Sequence, residues 1–251
     1  MKIFKSEFAH SYKTYSFGYC EYAEVEDADS FADIYAEGFL PYSGTKGVKR
    51  TCYLARSARV RLADFSFSSE NRRIAKQFDG QFTKRSISIE EFDTNDKTFL
   101  AFCADYFLKR HGEGVMPEER LRTILDAGFI THIDVYETND TRIVGYALMV
   151  NDATMSHFWF SFYDLEYVYK SLGMWLMLDA ARTAKQEGKG YFYVGTVYGE
   201  KALYKTNFEA LEFFDGNVWN RDIKLLRSLG RLDAEHVHDG MDRWKETHEH
   251  F

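Results

Sequence analysis

SHFWFSFYDLEYVYKSLGMWLMLDAARTAKQEGKGYFYVGTVYGEKALYKTNFEALEFFDGNVW, residues 156–219, is the stretch that decides the fold. It reads as a strand, a turn, an amphipathic helix, a second strand, and then a loop rich in aromatic and basic residues. Leu172–Glu187 is the helix, closed by Gly188, and Tyr191–Gly195 is the strand after it. A strand–helix–strand unit forces a parallel, right-handed crossover. The turn that opens the helix is Lys170-Ser171-Leu172-Gly173. It is small and polar, and it presents backbone N–H groups at the positive end of the helix. Such a turn suits the negative tail of a phosphate-bearing ligand.

Working outward, three strand patterns precede the crossover: His132–Glu137, Arg142–Val150 and Met155–Tyr163. Asn139-Asp140 and Asn151-Asp152 supply tight turns, so these strands form an antiparallel meander. Phe208–Phe214 and Val218–Arg221 make a last hairpin about Asp215-Gly216. Earlier, Ala28–Glu37 reads as a short helix, Gly38–Gly47 as a loop and Tyr53–Leu62 as one alternating strand. A helix opens at Ser68 and runs to Phe78. Ser86–Phe92 is a further strand, and Lys97–Arg110 and Pro117–Ala127 are helices. The pattern predicts an α+β fold, a GNAT-like acyltransferase mixed sheet preceded by a smaller N-terminal α/β domain. The expected boundaries are 1–85 for the N-terminal domain, 86–224 for the transferase domain and 225–251 for a polar appendage. In a sheet of this kind the strands flanking the crossover helix splay apart, and the acyl donor enters the gap.

At 251 residues and 45% hydrophobic, the chain can bury a sizeable core. Met1–Lys13 is mixed and charged, unlike a secretory signal, and no apolar run reaches the ~18 residues of a membrane span. The three cysteines, Cys20, Cys52 and Cys103, are odd in number and scattered, which argues against a disulfide framework. A cytoplasmic setting with no membrane partner is expected. The net charge of −7 opposes a nucleic-acid partner, but it is unevenly spread. Between Lys46 and Lys76 nine basic residues face only Asp64 and Glu70, a local +7. This island reads either as a footprint for a polyanion or as a solvated charged face.

Several pieces resemble the aminoacyl-tRNA–protein transferases, the arginyl and leucyl transferases. Gly38-Phe-Leu-Pro-Tyr-Ser-Gly44, Arg59-Val-Arg-Leu62 and Phe67-Ser-Ser-Glu-Asn-Arg-Arg73 look like that family's N-terminal region. There the family reads glycine-phenylalanine-arginine-arginine-serine-glycine, valine-arginine-isoleucine and serine-glutamine-arginine-arginine. Phe162-Tyr163-Asp164, Ser171-Leu172-Gly173, Tyr193-Val-Gly195, and Lys201-Ala-Leu-Tyr204-Lys205-Thr-Asn-Phe208 with Glu212 follow the family's C-terminal order. The resemblance covers about residues 18–219. It implies transfer of arginine or leucine from a charged tRNA to the N-terminal α-amine of a protein or peptide. The donor is then a substrate, and no cofactor is implied. The family usually carries an N-terminal cysteine cluster that holds a metal or iron–sulfur centre. Here only Cys20 and a displaced Cys52 remain, too few for a closed four-ligand site, so no metal is expected.

An ester donor is already activated, so the enzyme has mainly to position reactants, move a proton and stabilise an oxyanion. Asp164, beside Tyr163 at the end of the meander strand, reads as the group that binds or deprotonates the amine, or else as a turn cap. Ser171 and Gly173 read as donor-binding backbone or as an ordinary helix start. Tyr193, Tyr198, Lys201, Tyr204 and Lys205 interleave rings and charge in a way that suits an adenosine and its phosphates. Arg72 and Arg73 oppose the dipole at the start of their helix, which suits phosphate contact. His132 and His157 read as structural, and Trp159 and Trp175 as core. Two other classes stay open. One is an acyl-CoA N-acyltransferase, although Trp175 stands where the pyrophosphate loop of that class needs a small residue. The other is a catalytically silent homologue that binds protein N-termini.

Overall fold

The computed structural model describes residues 1–11, 16–113 and 117–233. In chain order its strands are β1 (Lys2–Ser11), β2 (Ser16–Glu24), β3 (Phe39–Pro41), β4 (Thr51–Leu54), β5 (Ser57–Arg61), β6 (Phe82–Ser88), β7 (His132–Thr138), β8 (Ile143–Asn151), β9 (Met155–Tyr163), β10 (Tyr191–Thr196), β11 (Leu211–Phe214) and β12 (Trp219–Asn220). The helices are α1 (Phe31–Ala36), α2 (Ser69–Phe78), α3 (Lys97–His111), α4 (Glu118–Leu125), α5 (Leu172–Gln186) and α6 (Ile223–Leu232). Two 3₁₀ segments, Leu165–Lys170 and Glu200–Asn207, flank α5 and β10.

Eight strands form the main sheet in the order β12-β11-β5-β10-β9-β8-β7-β6. Every neighbouring pair is antiparallel except β9 and β10, which α5 joins as the crossover helix. This is the mixed, GNAT-like sheet that the residue pattern predicts. One face is covered by α2, α5 and α6, whose Ile74, Leu176 and Leu226 pack with Phe158 and Phe192 of the sheet. The other face is covered in two patches. Ile34 and Tyr35 of α1 pack with Met155 and Tyr193, while Phe99 and Phe107 of α3 pack with Leu148 and Phe162.

The stretch Tyr53–Leu62, expected as one strand, is two. It breaks at Ala55-Arg56, so that β4 closes a four-stranded sheet, β1-β2-β4-β3, and β5 enters the main sheet between β11 and β10. The corner is fixed locally: the Ser57 amide donates to Ala55 O at 2.7 Å, and Ser57 Oγ donates to the buried Gly38 O at 2.6 Å. The residue pattern does not reveal such a break, because Ala55-Arg56 carries none of the Gly, Pro, Asn or Asp that mark a turn. The segment before residue 86 therefore contributes to both sheets. The appendage expected from Leu225 starts instead as a packed helix. Asp222 caps α6 by accepting from the amides of Lys224 and Leu225, and Leu226 and Leu229 are buried. Residues 234–251 of that expected appendage lie outside the described residues. Among those that are described, no helix is long and apolar enough to cross a membrane.

Candidate active site

The parallel ladder between β9 and β10 is short. It pairs Tyr191 with Met155, Phe192 with Ser156 and Tyr193 with His157, and then stops. Beyond that point β9 runs on to Tyr163 and β10 to Thr196, each paired on its outer side. Two irregularities set in where the ladder ends. Trp159 bulges out of the β8–β9 register, and Val194 bulges out of the β5–β10 register. A bulge bends its strand and increases its twist, so one on each side pulls the strands apart. The gap opens into a cleft of about 410 Å³, lined by residues including Tyr42, Arg120, His157, Trp159, Gly195 and Lys205.

His157 is the most constrained group there. It is buried, and its Nδ1 lies 3.0 Å from the Tyr35 hydroxyl. Its Nε2 is buried with no hydrogen-bond partner. Burial, with Lys205 close by, pushes its pKa down to about 3, so the ring is neutral. Lys205 comes from the 3₁₀ segment after β10. As a residue it is half-buried, but its Nζ lies deep, donating to Thr196 O at 2.8 Å. Desolvation brings its pKa down to about 8. Gly195 sits between them with φ +83°, where a side chain is strained. A Cβ there would lie 3.4 Å from Lys205 Nζ and 3.8 Å from His157 Nε2, so both nitrogens border one small space. At the far wall, Arg120 of α4 donates from Nη2 to Ser43 Oγ at 3.1 Å, while its Nη1 is buried and unpartnered. Among the described residues no carboxylate lines the cleft. The Gly38–Gly44 segment on this wall, expected as loop but forming β3 over Phe39–Pro41, carries Leu40-Pro41-Tyr42 where the resembling family has two arginines, and the guanidinium present belongs to Arg120.

The other expected site residues fall into three places. Tyr193 lies under the cleft: its ring packs edge-on at 4.9 Å to Tyr35, and its hydroxyl accepts from Arg59 Nη1 at 3.3 Å. Tyr163, Ser171, Gly173 and Tyr204 gather around the start of α5. Ser171 occupies the N-cap position in the left-handed region, at φ 66°, with no side-chain cap bond. The space above Gly173 is filled by the Tyr163 ring, whose atoms a Cβ would meet at 2.6–2.9 Å. Tyr204 is 45% exposed, and Lys201 is exposed beside it. Tyr198 is engaged elsewhere: its hydroxyl accepts from the Arg56 amide at 2.8 Å, and Arg56 stacks over its ring. Asp164 acts as a turn cap, accepting from the Glu166 amide at 2.9 Å and from Arg142 Nη1 at 3.1 Å.

Arg72 and Arg73 sit on the exposed face of α2. Arg72 donates to Phe67 O and Arg73 pairs with Glu70. The basic island they belong to is largely neutralised by folding. Lys46, Arg50, Arg56, Arg59 and Arg61 also meet acids, namely Glu119, Asp27, Asp233, Glu212 and Asp64.

His157, Tyr35, Trp159 and Arg120 are the cleft residues that sequence reading assigned no role in the site. His157 and Gly195 did carry a signal, since both lie at the strand ends flanking the crossover. Nothing in the sequence marks Arg120, which is 77 residues from Ser43. The remaining cysteines do not fit a metal cluster. Cys52 is buried, its thiol pushed well above its usual range, and Cys20 is in β2. Among the described residues no three His, Cys, Asp or Glu side chains group to hold a metal ion.

Residues 97–215 match the family model described as "Arginine-tRNA-protein transferase, C terminus". The chain is 27% identical over 191 residues to the aspartate/glutamate leucyltransferase of Phenylobacterium zucineum (strain HLK1), covering 69% of this chain and 71% of that protein. It is also 27% identical over 180 residues to the protein of the same name from Cereibacter sphaeroides (strain ATCC 17029 / ATH 2.4.9), covering 67% of this chain and 62% of that one. Among solved structures, L-PGS from Bacillus licheniformis superposes with a TM-score of 0.42 at 16% identity, covering 70% of this chain and 65% of that one. Over residues 97–215 the chain is thus similar to the arginine-tRNA-protein transferases, and these likenesses support a transferase.

Proposed function

We propose that this protein moves an aminoacyl group, leucine in the first instance, from charged tRNA to the α-amine of a protein or peptide N-terminus. The relatives' name, aspartate/glutamate leucyltransferase, favours leucine over arginine and an acidic first residue on the acceptor. The observation that carries the reading is the cleft at the end of the β9–β10 ladder, with His157 Nε2 unpartnered and Lys205 Nζ beside it.

In this reading the acceptor nitrogen attacks the ester carbonyl carbon. A C–N bond forms and the C–O bond to the terminal ribose breaks. Neutral Lys205 takes the proton released by the amine and returns it to the departing ribose oxygen. A pKa of about 8 suits that exchange, because both forms are populated near neutral pH. In the tautomer whose Nδ1 accepts the Tyr35 proton, His157 Nε2–H is free to donate to the oxyanion. Tyr163, Ser171, Gly173, Lys201 and Tyr204, at the start of α5 and on the following 3₁₀ segment, form the approach for the tRNA end, by stacking and charge. Arg72 and Arg73 are placed for its phosphates, and Asp164 and Tyr198 hold the turns that carry the site.

The test is to incubate the protein with charged tRNA pools and peptides of varied first residue, then read mass additions by mass spectrometry, with an acetyl-CoA arm in parallel. Addition of leucine to peptide N-termini is expected. Acetylation with no aminoacyl transfer would overturn the reading.

A further inference from the structure

Among the described residues the cleft is lined by two cations, Arg120 and Lys205, and by no acid. Arg120 Nη1 is buried and unpartnered, Lys205 Nζ donates to the Thr196 carbonyl, and no described side chain lining the cleft with them is a carboxylate. The groups around Arg120 are hydroxyls, from Tyr42, Ser43 and Tyr53. Arg120 as a residue is half-buried, but burying its Nη1 costs desolvation that nearby hydroxyls offset only in part, and a carboxylate completes the guanidinium with two parallel hydrogen bonds. The folded chain supplies that carboxylate elsewhere: Arg59 and Arg56, also buried or nearly so, each meet an acid at about 3 Å. At Arg120 the place is left for a ligand.

We infer that Arg120 is the specificity-determining residue of the acceptor side, its free Nη1 reading the side-chain carboxylate of the acceptor's first residue while the α-amine lies toward Lys205. This rests on the transfer reaction proposed above. It assigns the recognition to α4, which packs with α3 on the sheet, and not to the Gly38–Gly44 segment around β3, whose Leu40, Pro41 and Tyr42 carry no charge.

The experiment compares C-terminally amidated peptides that differ only in Asp or Asn as first residue, so that one carboxylate is at stake. Wild type, Arg120→Gln and Arg120→Lys are measured for kcat/KM of leucyl transfer and, independently of turnover, for peptide affinity by calorimetry. Wild type should favour Asp about ten- to a hundredfold, the range for a hydrogen bond to a charged group. Arg120→Gln should bring the ratio to within about threefold, chiefly through the Asp peptide, and Arg120→Lys should keep part of it, because the charge survives and the fork does not. Melting curves check that each variant is folded; if Arg120→Gln is not, Arg120→Lys carries the comparison, and an unaltered ratio there overturns the assignment. A ratio unchanged in folded Arg120→Gln overturns it too, as does a wild type that does not distinguish Asp from Asn. Failure of all peptides to be leucylated would instead refute the proposed reaction, with the affinity ratio still deciding the role of Arg120.

Discussion

Two buried cations lie on neighbouring strands or loops of the same sheet, and they are treated in opposite ways. Arg59 of β5 is 7% exposed and fully engaged. Its Nε meets Glu212 at 3.1 Å, its Nη1 donates to Tyr193, and its guanidinium is stacked between Tyr191 and Trp219, 3.8 Å from each ring centre. Lys205 has one carbonyl for a partner, and burial brings its pKa down. Arg59 joins β5, β10, β11 and β12 into one unit. Lys205 is left partly unpaid for, beside a histidine nitrogen that is also unpartnered. The two places are connected, because Tyr193 touches Arg59 with its hydroxyl and Tyr35, the partner of His157, with its ring. The satisfied network therefore holds the unsatisfied one in position. A buried polar group lacking its partner in an otherwise satisfied core is the better pointer to function.

The sharpest way to break this contrast is to remove the cation on each side. Lys205→Met should lower leucyl transfer about 10²–10⁴-fold, the range for losing a positioned proton-transfer group. It should also stabilise the fold by about 1–3 kcal/mol near pH 7, since a lysine whose pKa falls on folding opposes folding while protonated. Steady-state rates and urea midpoints on the same preparation check both halves. A variant that is less stable as well as inactive would show Lys205 to be structural like Arg59.

Glu212→Gln is the converse. Stripping the acid from a buried pair costs about 3–5 kcal/mol, and here it also deprives Arg221, which Glu212 Oε1 accepts at 3.0 Å. Denaturant unfolding should show that loss. A change below about 1 kcal/mol would mean that stacking on Tyr191 and Trp219 suffices for Arg59.

Acid sharpens the comparison further. The folded pKa of His157, about 3, is below its unfolded value of 6.5, so the unfolded state binds the extra proton between those values. Stability should therefore be complete above pH ~6.5 and fall as pH drops towards 3, with a slope of up to about 1.4 kcal/mol per pH unit from this residue. His157→Phe should flatten that part of the profile. An identical slope in the variant would place the acid sensitivity elsewhere.

The smallest effect is expected at an exposed cation. Arg72→Ala should change stability by less than about 0.5 kcal/mol. If Arg72 meets a phosphate, the variant should lower the slope of log affinity for tRNA against log salt by about one. A superimposable salt titration would leave Arg72 as solvated charge.

The sequence by itself determined the meander, the α5 crossover and the single parallel pair, because strand and helix periodicities and their connecting turns are local signals. It also placed Ser171, Gly173, Tyr193 and Lys205 near the crossover through short motifs in a recognisable order. Local patterning could not show that Tyr53–Leu62 turns a corner between two sheets, since Ala55-Arg56 carries no turn residue. Nor could it show that the basic island is mostly paired, because its acids lie up to 177 residues away, as Asp233 does from Arg56. The tertiary structure alone decided which buried cations find an acid and which do not. Whether a charge is satisfied depends on what is folded against it, and the partners of Arg59, His157 and Arg120 come from distant elements: Glu212 of β11, Tyr35 of α1 and Ser43 of the loop after β3.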